Sequence, residues 1–268
     1  MKPILIFFSL TILLTSCESV IEIDLDYMVP LLVIEGVIDD FDNKCTVKLS
    51  KTTDYFNLNK NPAVSGAVIL LTDKAGTVVK FNETEPGIYM GESLLAKSNM
   101  EYTLSILSEG DKYIAKATVP QRVNIDSLNF KYNPEGIFYE VGYVVSCHLS
   151  DPEETRNYYR LKTYNINDAT KARISKELYD DDVYNGNNVE LQWSNNVYHQ
   201  NDTVVVELYS LDEQTYDYYK TLFPISGGAE MMSLTTPANP NTNISNGALG
   251  YFGAYTLSRD TIIIPPSN

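Results

Sequence analysis

YTLSILSEGDKYIAKATVP, residues 102–120, decides the fold class. Two strand-like segments, Tyr102–Leu107 and Tyr113–Val119, flank the turn residues Glu109-Gly110-Asp111. Pro120 closes the pair, because its ring nitrogen has no hydrogen to give a β-ladder. Upstream the style repeats. Leu31–Ile38 (LLVIEGVI) is apolar and β-branched and stops at the polar run Asp39–Asn43. Cys45–Leu49 alternates, Asp54–Ala63 is an Asn-rich loop containing Pro62, and Val64–Thr72 leads to a turn at Asp73-Lys74-Ala75-Gly76. Thr77–Phe81 follows, and Pro86-Gly87 turns the chain before Ile88-Tyr89. Short strands recurring every 8 to 12 residues or so, with turn formers between them, indicate a sandwich or barrel.

Beyond Pro120, strands are expected over Ile125–Tyr132, Tyr139–Leu149, Asn157–Tyr164, Val189–Trp193 and Asp202–Tyr209. Ser210–Phe223 (SLDEQTYDYYKTLF) has a different period. Leu211, Thr215, Tyr218, Tyr219 and Leu222 fall at helical intervals, and Ser210 with Glu213 has the capping-box spacing, so one short helix is expected near 212–223. Pro224–Gly247 is rich in Gly, Pro, Asn, Ser and Thr and reads as a long loop, and Leu249–Leu257 and Thr261–Ile264 as two closing strands. The expectation is an all-β chain of two antiparallel β-sandwiches, Ig-like or transthyretin-like. An N-terminal sandwich would span 17–120, and a β-rich C-terminal domain carrying the helix would span 121–268.

The first residues are of another kind. Met1-Lys2 is a minimal positive start, and Ile4–Leu14 is an uncharged, mostly apolar run. That run is too short for a membrane span, which needs about 20 residues, and has the length of a signal-peptide core. Leu14-Thr15-Ser16-Cys17 then resembles the lipobox of bacterial lipoproteins. Residues 1–16 are therefore expected to be an export signal, with Cys17 the lipid-bearing residue and acyl chains such as palmitate as the anchor. The expected location is the outer membrane, on either its periplasmic or its surface face.

Composition narrows the function. The formal net charge is −15, and it becomes −16 without the first sixteen residues, whose only charge is Lys2. Such a surface repels nucleic-acid phosphates and anionic headgroups, so no nucleic-acid partner is expected. Cys45 and Cys147 sit in apolar strand segments and read as two free buried thiols, although an envelope setting permits a disulfide. With His148 and His199 the only histidines, and no CxxC or Cys/His cluster, neither zinc nor imidazole chemistry is supported, and no cofactor is expected. Asp39-Asp40 and Asp180-Asp181-Asp182 read as solvated acidic turns, since EF-hand spacing is absent. There is no Gly-x-Ser-x-Gly elbow and no phosphate-loop context.

Several stretches together resemble a family of Bacteroidota envelope lipoproteins that carry the domain of unknown function 4249. They are Cys17–Asp24, Leu32–Gly36, Asp54-Tyr55-Phe56 to Ala67, Pro86–Tyr89, Asn157–Arg160, Leu211-Asp212 to Tyr218, and NPNTNISNGALGYFGAY at 239–255. The first half is also similar to transthyretin-like and carboxypeptidase-regulatory-like sandwiches. The family resemblance implies an accessory lipoprotein beside a TonB-dependent outer-membrane receptor, and it supplies no catalytic residues to carry over. The loop 224–247 and the tyrosines Tyr216, Tyr218, Tyr219 and Tyr251 are the expected partner-binding surface, because tyrosine offers a large contact area at low rotamer cost. The expected role is non-catalytic binding. A structural or assembly role in the envelope, and a hydrolase built on scattered carboxylates, are the alternatives.

Overall fold

The computed structural model describes residues 29–41, 45–53, 61–92, 96–134, 141–167, 173–174, 178–192, 197–226 and 239–266. Over these the chain is all-β with one helix. The first half supplies β1 (Leu32–Asp39), β2 (Cys45–Lys51), β3 (Val68–Asp73), β4 (Val78–Lys80), β5 (Asn82–Glu85), β6 (Ile88–Gly91), β7 (Glu101–Ser108) and β8 (Asp111–Thr118). The second supplies β9 (Ser127–Asn133), β10 (Gly142–Ser150), β11 (Tyr158–Asn165), β12 (Arg173–Ile174), β13 (Tyr179–Asp180), β14 (Asn188–Gln192), β15 (Thr203–Leu211), helix α1 (Glu213–Ser226) and β16 (Leu249–Ile263).

These strands form two sandwiches that share a sheet. The shared sheet runs β12-β11-β15-β16-β1-β2-β6-β5, with β13 beside β11. Sheet β4-β3-β7-β8 closes a first core over Ile34, Val47, Leu49, Ile69, Leu104 and Ile106. Sheet β14-β10-β9 closes a second over Cys147, Leu149, Leu161, Val206 and Leu208. Alternation explains which residues face inward, as in β1, where Leu32, Ile34, Gly36 and Ile38 are the buried positions. Each fully buried aliphatic side chain stabilises the fold by about 1.5–3 kcal/mol relative to exposure.

β16 joins the halves. Its first part pairs parallel with β1, from Val33↔Leu249 to Asp39↔Tyr255, and its second part pairs antiparallel with β15, from Leu211↔Tyr255 to Thr203↔Ile263. The first core therefore takes Ile244, Ala248, Phe252 and Ala254 from the C-terminal segment, so the cores do not divide the chain at one point. The residues Ser258-Arg259-Asp260, expected to interrupt the strand, continue it because each has a cross-strand partner in β15. Gly250 permits the parallel junction: it has φ +90°, and a Cβ there would lie 2.0 Å from the Ile34 carbonyl oxygen.

The connection between sandwiches is tied down. Val123 N–H donates to Ser210 Oγ (3.3 Å) and Ile125 N–H to Ser258 Oγ (3.0 Å). Asp40 accepts from Leu257 N–H (3.1 Å) and from the Arg122 guanidinium (2.6 Å), so it is a structural clamp and not a solvated turn residue. Cys45 and Cys147 are free and buried in different cores, and burial raises both thiol pKa values, that of Cys147 to about 12. Residues 1–16, Cys17 and residues 227–238 of the long loop lie outside the described residues.

Candidate functional site

The helix starts at Asp212, not at Ser210. Asp212 Oδ1 accepts from Thr215 N–H (3.0 Å), and its carbonyl accepts from Tyr216 N–H (3.0 Å), as an N-cap does. Ser210 instead holds the inter-sandwich connection. At its far end the helix passes Pro224 and reaches Ser226, past the expected stop at 223. Proline in the last turn removes one backbone bond there and leaves the preceding turns intact.

Asp212 is 5% exposed, and burial pushes its pKa up to about 6 against the lowering effect of the hydrogen bonds it accepts. Among the described residues its second oxygen, Oδ2, and the hydroxyls of Thr215 and Thr256 are enclosed and make no hydrogen bond of good geometry. Gly253 makes room for this helix start, since a Cβ there would meet Thr215 Oγ1 at 1.8 Å. Asp212 lines a cleft of about 310 Å³ where three segments meet: Asn99 with Thr118, Pro120 and Gln121, then Thr155–Tyr158, and Leu211–Gln214.

The rim is acidic and ordered. Arg156 bonds Asp182 (2.7 Å) and stands 5.5 Å over the Tyr158 ring. Asp181, 2% exposed, accepts from Asn157 N–H (2.7 Å), and Asp180 accepts from Tyr216 OH (2.7 Å). Asp182, 62% exposed in a turn, fits the expected solvated acidic turn, whereas Asp180 and Asp181 do not: Asp180 holds α1, and Asp181, next to Asp182, holds the segment before β11.

α1 lies against the shared sheet through aromatic stacking. Tyr158 stacks on Tyr216 (4.4 Å between centroids), and Tyr218 on Tyr251 (4.2 Å). Tyr219 OH and Tyr251 OH are 2.9 Å apart, and the Arg160 guanidinium lies 4.5 Å from the Tyr219 ring and 4.8 Å from Phe223. These are packing contacts. Tyr216, Tyr218 and Tyr251 are buried, and of the four tyrosines expected to meet a partner only Tyr219 is partly exposed. The physical reason is that a helix seated on a sheet must cover its own aromatic face, and tyrosine serves as readily there as at an interface.

The NPNTNISNGALGYFGAY stretch is likewise structural where it is described. Asn243 mimics a strand, giving its amide to the carbonyls of Phe252 (2.7 Å) and Lys116 (2.9 Å) and accepting from Phe252 N–H (3.0 Å). Asn246 (φ 62°) and Gly247 (φ 72°) then turn the chain into β16. The residues that sequence reasoning missed are Asp212 as a site residue and Glu207. Glu207, 3% exposed on β15, accepts from Arg259 (2.6 Å), Tyr209 OH (2.7 Å) and Lys162 (3.1 Å). The lone acid in TVVVELYSL was the available signal for it. Among the described residues no group of three or more His, Cys, Asp or Glu is placed to hold a metal, and no helix is long and apolar enough to cross a membrane.

A family model described as Domain of unknown function (DUF4249) matches residues 18–261. No curated protein matches the chain. Among solved structures, a two-domain fibronectin type-III segment of chicken tenascin is 13% identical, with a TM-score of 0.24, covering 68% of this chain and 91% of that one. The FN1-FN3 domains of chicken CNTN1 are 11% identical, with a TM-score of 0.27, covering 68% and 60%. A DUF4785 family protein from Legionella pneumophila is 14% identical, with a TM-score of 0.22, covering 70% and 54%. Likenesses this loose carry no argument about this chain.

Proposed function

This chain belongs to the family of the Domain of unknown function DUF4249, and from that premise we propose that it is a lipid-anchored accessory protein of the outer membrane that binds a TonB-dependent receptor without catalysing a reaction. The observation that carries the reading is Leu14-Thr15-Ser16-Cys17 behind the uncharged run Ile4–Leu14, ahead of a folded part whose first strand among the described residues begins at Leu32. Two acyl chains on one cysteine hold a protein stably at a bilayer, each buried CH₂ adding about 0.8 kcal/mol.

The test has two arms. Cys17→Ala should abolish incorporation of radiolabelled palmitate and release the protein from membranes, and continued labelling would overturn the anchor. Mild-detergent purification of the wild type from native membranes should bring a TonB-dependent receptor with it in near-stoichiometric amount. Recovery of the lipoprotein without a receptor, at a concentration where the lipid anchor is intact, would overturn the partner and leave an assembly role.

A further inference from the structure

We propose that the outer face of sheet β4-β3-β7-β8 lies on the lipid surface that holds the anchor, so that the first sandwich is the membrane-facing half of the molecule. This rests on the lipid anchor at Cys17 proposed above and adds an orientation to it.

Register builds the face. Directly paired residues share a side of a sheet, so Lys112, Leu107 and Val68 point outward as one rung, and Ile114, Ser105, Leu70 and Lys80 as the next. Their neighbours along the strands, among them Ile69, Leu104 and Ile106, point the other way and fill the first core. Val68 and Leu107 are 46% and 50% exposed, Ile114 is exposed as well, and half-buried Leu70 lies between them. Single exposed aliphatic residues are ordinary, but apolar side chains that adjoin on one flat face mark an interaction surface.

Two observations favour lipid as the occupant. The first is where the chain enters. β1 starts beside the end of β2, and Lys51 there reaches Glu109, two residues past Leu107, at 2.7 Å. Val29 and Leu31 are exposed at this same end. The chain from Cys17 to Val29 spans at most about 40 Å, so a lipid on Cys17 keeps the face within reach of the bilayer. The second is composition. Lys80, Lys112 and Lys116 point outward around the apolar residues, against Glu101, which pairs with Lys116 at 3.1 Å. Asp111 and the Lys51-bound Glu109 stand in the turn at the rim. Lysine stems lie along apolar surface while their ammonium groups reach lipid phosphates. The cores of protein interfaces are instead poor in lysine and rich in aromatic residues and arginine, and these rungs carry neither. The whole chain is acidic, but salt screens charges beyond about 10 Å, so headgroups respond to the nearest lysines.

The test uses the full lipidated protein in vesicles of phosphatidylcholine with about 30% phosphatidylglycerol and no other protein. A nitroxide on Leu107→Cys is compared with one on Val183→Cys, an exposed position of the second sandwich, by collision with a water-soluble nickel chelate. Labelling is selective because Cys45 and Cys147 are buried. Collision at Leu107 should be about tenfold slower than at Val183, and a label on Ile114→Cys should follow Leu107. The triple variant Lys80→Gln, Lys112→Gln, Lys116→Gln should bring the Leu107 label to within about twofold of Val183 while the protein still floats with the vesicles. A protein that floats, but whose Leu107 and Ile114 labels collide as often as the Val183 label, would overturn the docked face alone; a face that fits a receptor gives that result. Spin–spin broadening between Leu107 labels would put a second copy on the face and overturn the proposal too. A wild-type protein that does not float would overturn the anchor, and the docked face with it.

Discussion

β15 buries a carboxyl at its middle, and the residue just past its end buries the same chemical group in the opposite way. Around Glu207, in the middle of the sheet face, two cations and two tyrosine hydroxyls converge on one carboxylate, and despite burial these partners lower its pKa. Around Asp212, just past the strand, one oxygen caps a helix, no cation pairs with the carboxyl among the described residues, and burial raises the pKa to about 6. The difference teaches where a fold is complete and where it is held open. Glu207 is a satisfied network, which specifies packing. Asp212 leaves a charge uncompensated beside a cleft, and perturbed groups of that kind cluster at functional sites.

The comparison is broken most severely at Glu207. Glu207→Ala opens a buried gap and frees Arg259 and Lys162, which are partly exposed and turn to solvent, so a loss of about 1–3 kcal/mol is expected in urea unfolding. A loss under about 1 kcal/mol would show that the network is no more than a surface pair.

Asp212→Asn should act in the opposite direction. The fold raises this pKa above its ordinary 3.8, so the contribution of the protonated form is full below pH 3.8 and is lost as pH rises through about 6. Asparagine keeps the cap and removes the buried charge. The variant should gain about 2–3 kcal/mol over wild type at pH 8, the gain shrinking as pH falls from about 6 towards 4. Chemical denaturation at several pH values checks both the sign and the window.

Smaller effects sharpen the boundary of the site. Arg160→Lys exchanges a flat guanidinium lying against the stacked Tyr219 and Phe223 rings for a point charge, and a loss of about 1 kcal/mol is expected from thermal melts. Asp182→Asn removes the exposed partner of Arg156 and should change stability by less than about 0.5 kcal/mol.

Much of this architecture was legible in the sequence, for reasons that are themselves physical. The hairpin Glu101–Thr118 and the strands β1, β2, β10, β11 and β15 announce themselves because alternation and turn chemistry are local. β5 (NETE) did not, because its four residues are all exposed and none carries an inward apolar signal. The continuity of β16 was hidden for the opposite reason. Ser258, Arg259 and Asp260 look like a turn until their partners, Leu208, Glu207 and Val206 across the ladder, are known. The helix was visible in its period, but its cap was misplaced by two residues, since Ser210 and Asp212 are equally good caps and only the tertiary bond from Val123 N–H decides between them.

The candidate site was the least legible part. Tyrosines on a helix face and tyrosines at an interface have the same pattern, and burial, which separates them, is set by the sheet beneath α1. Asp212 gave no sign in a chain with 35 acidic residues. What distinguishes it is the meeting of three segments distant in sequence, near Thr118, Asn157 and Gly253, and no local pattern encodes that meeting.

The middle of β15 carries an acid whose partners lower its pKa, and the residue past its end carries one whose pKa burial raises. Side-chain carboxyl carbon-13 shifts followed from pH 2.5 to 8 in the uniformly labelled protein report both groups in one titration. The account expects Asp212 to titrate near 6, and Glu207 below the ordinary glutamate value of 4.5. An Asp212 midpoint at or below 3.8 would contradict it.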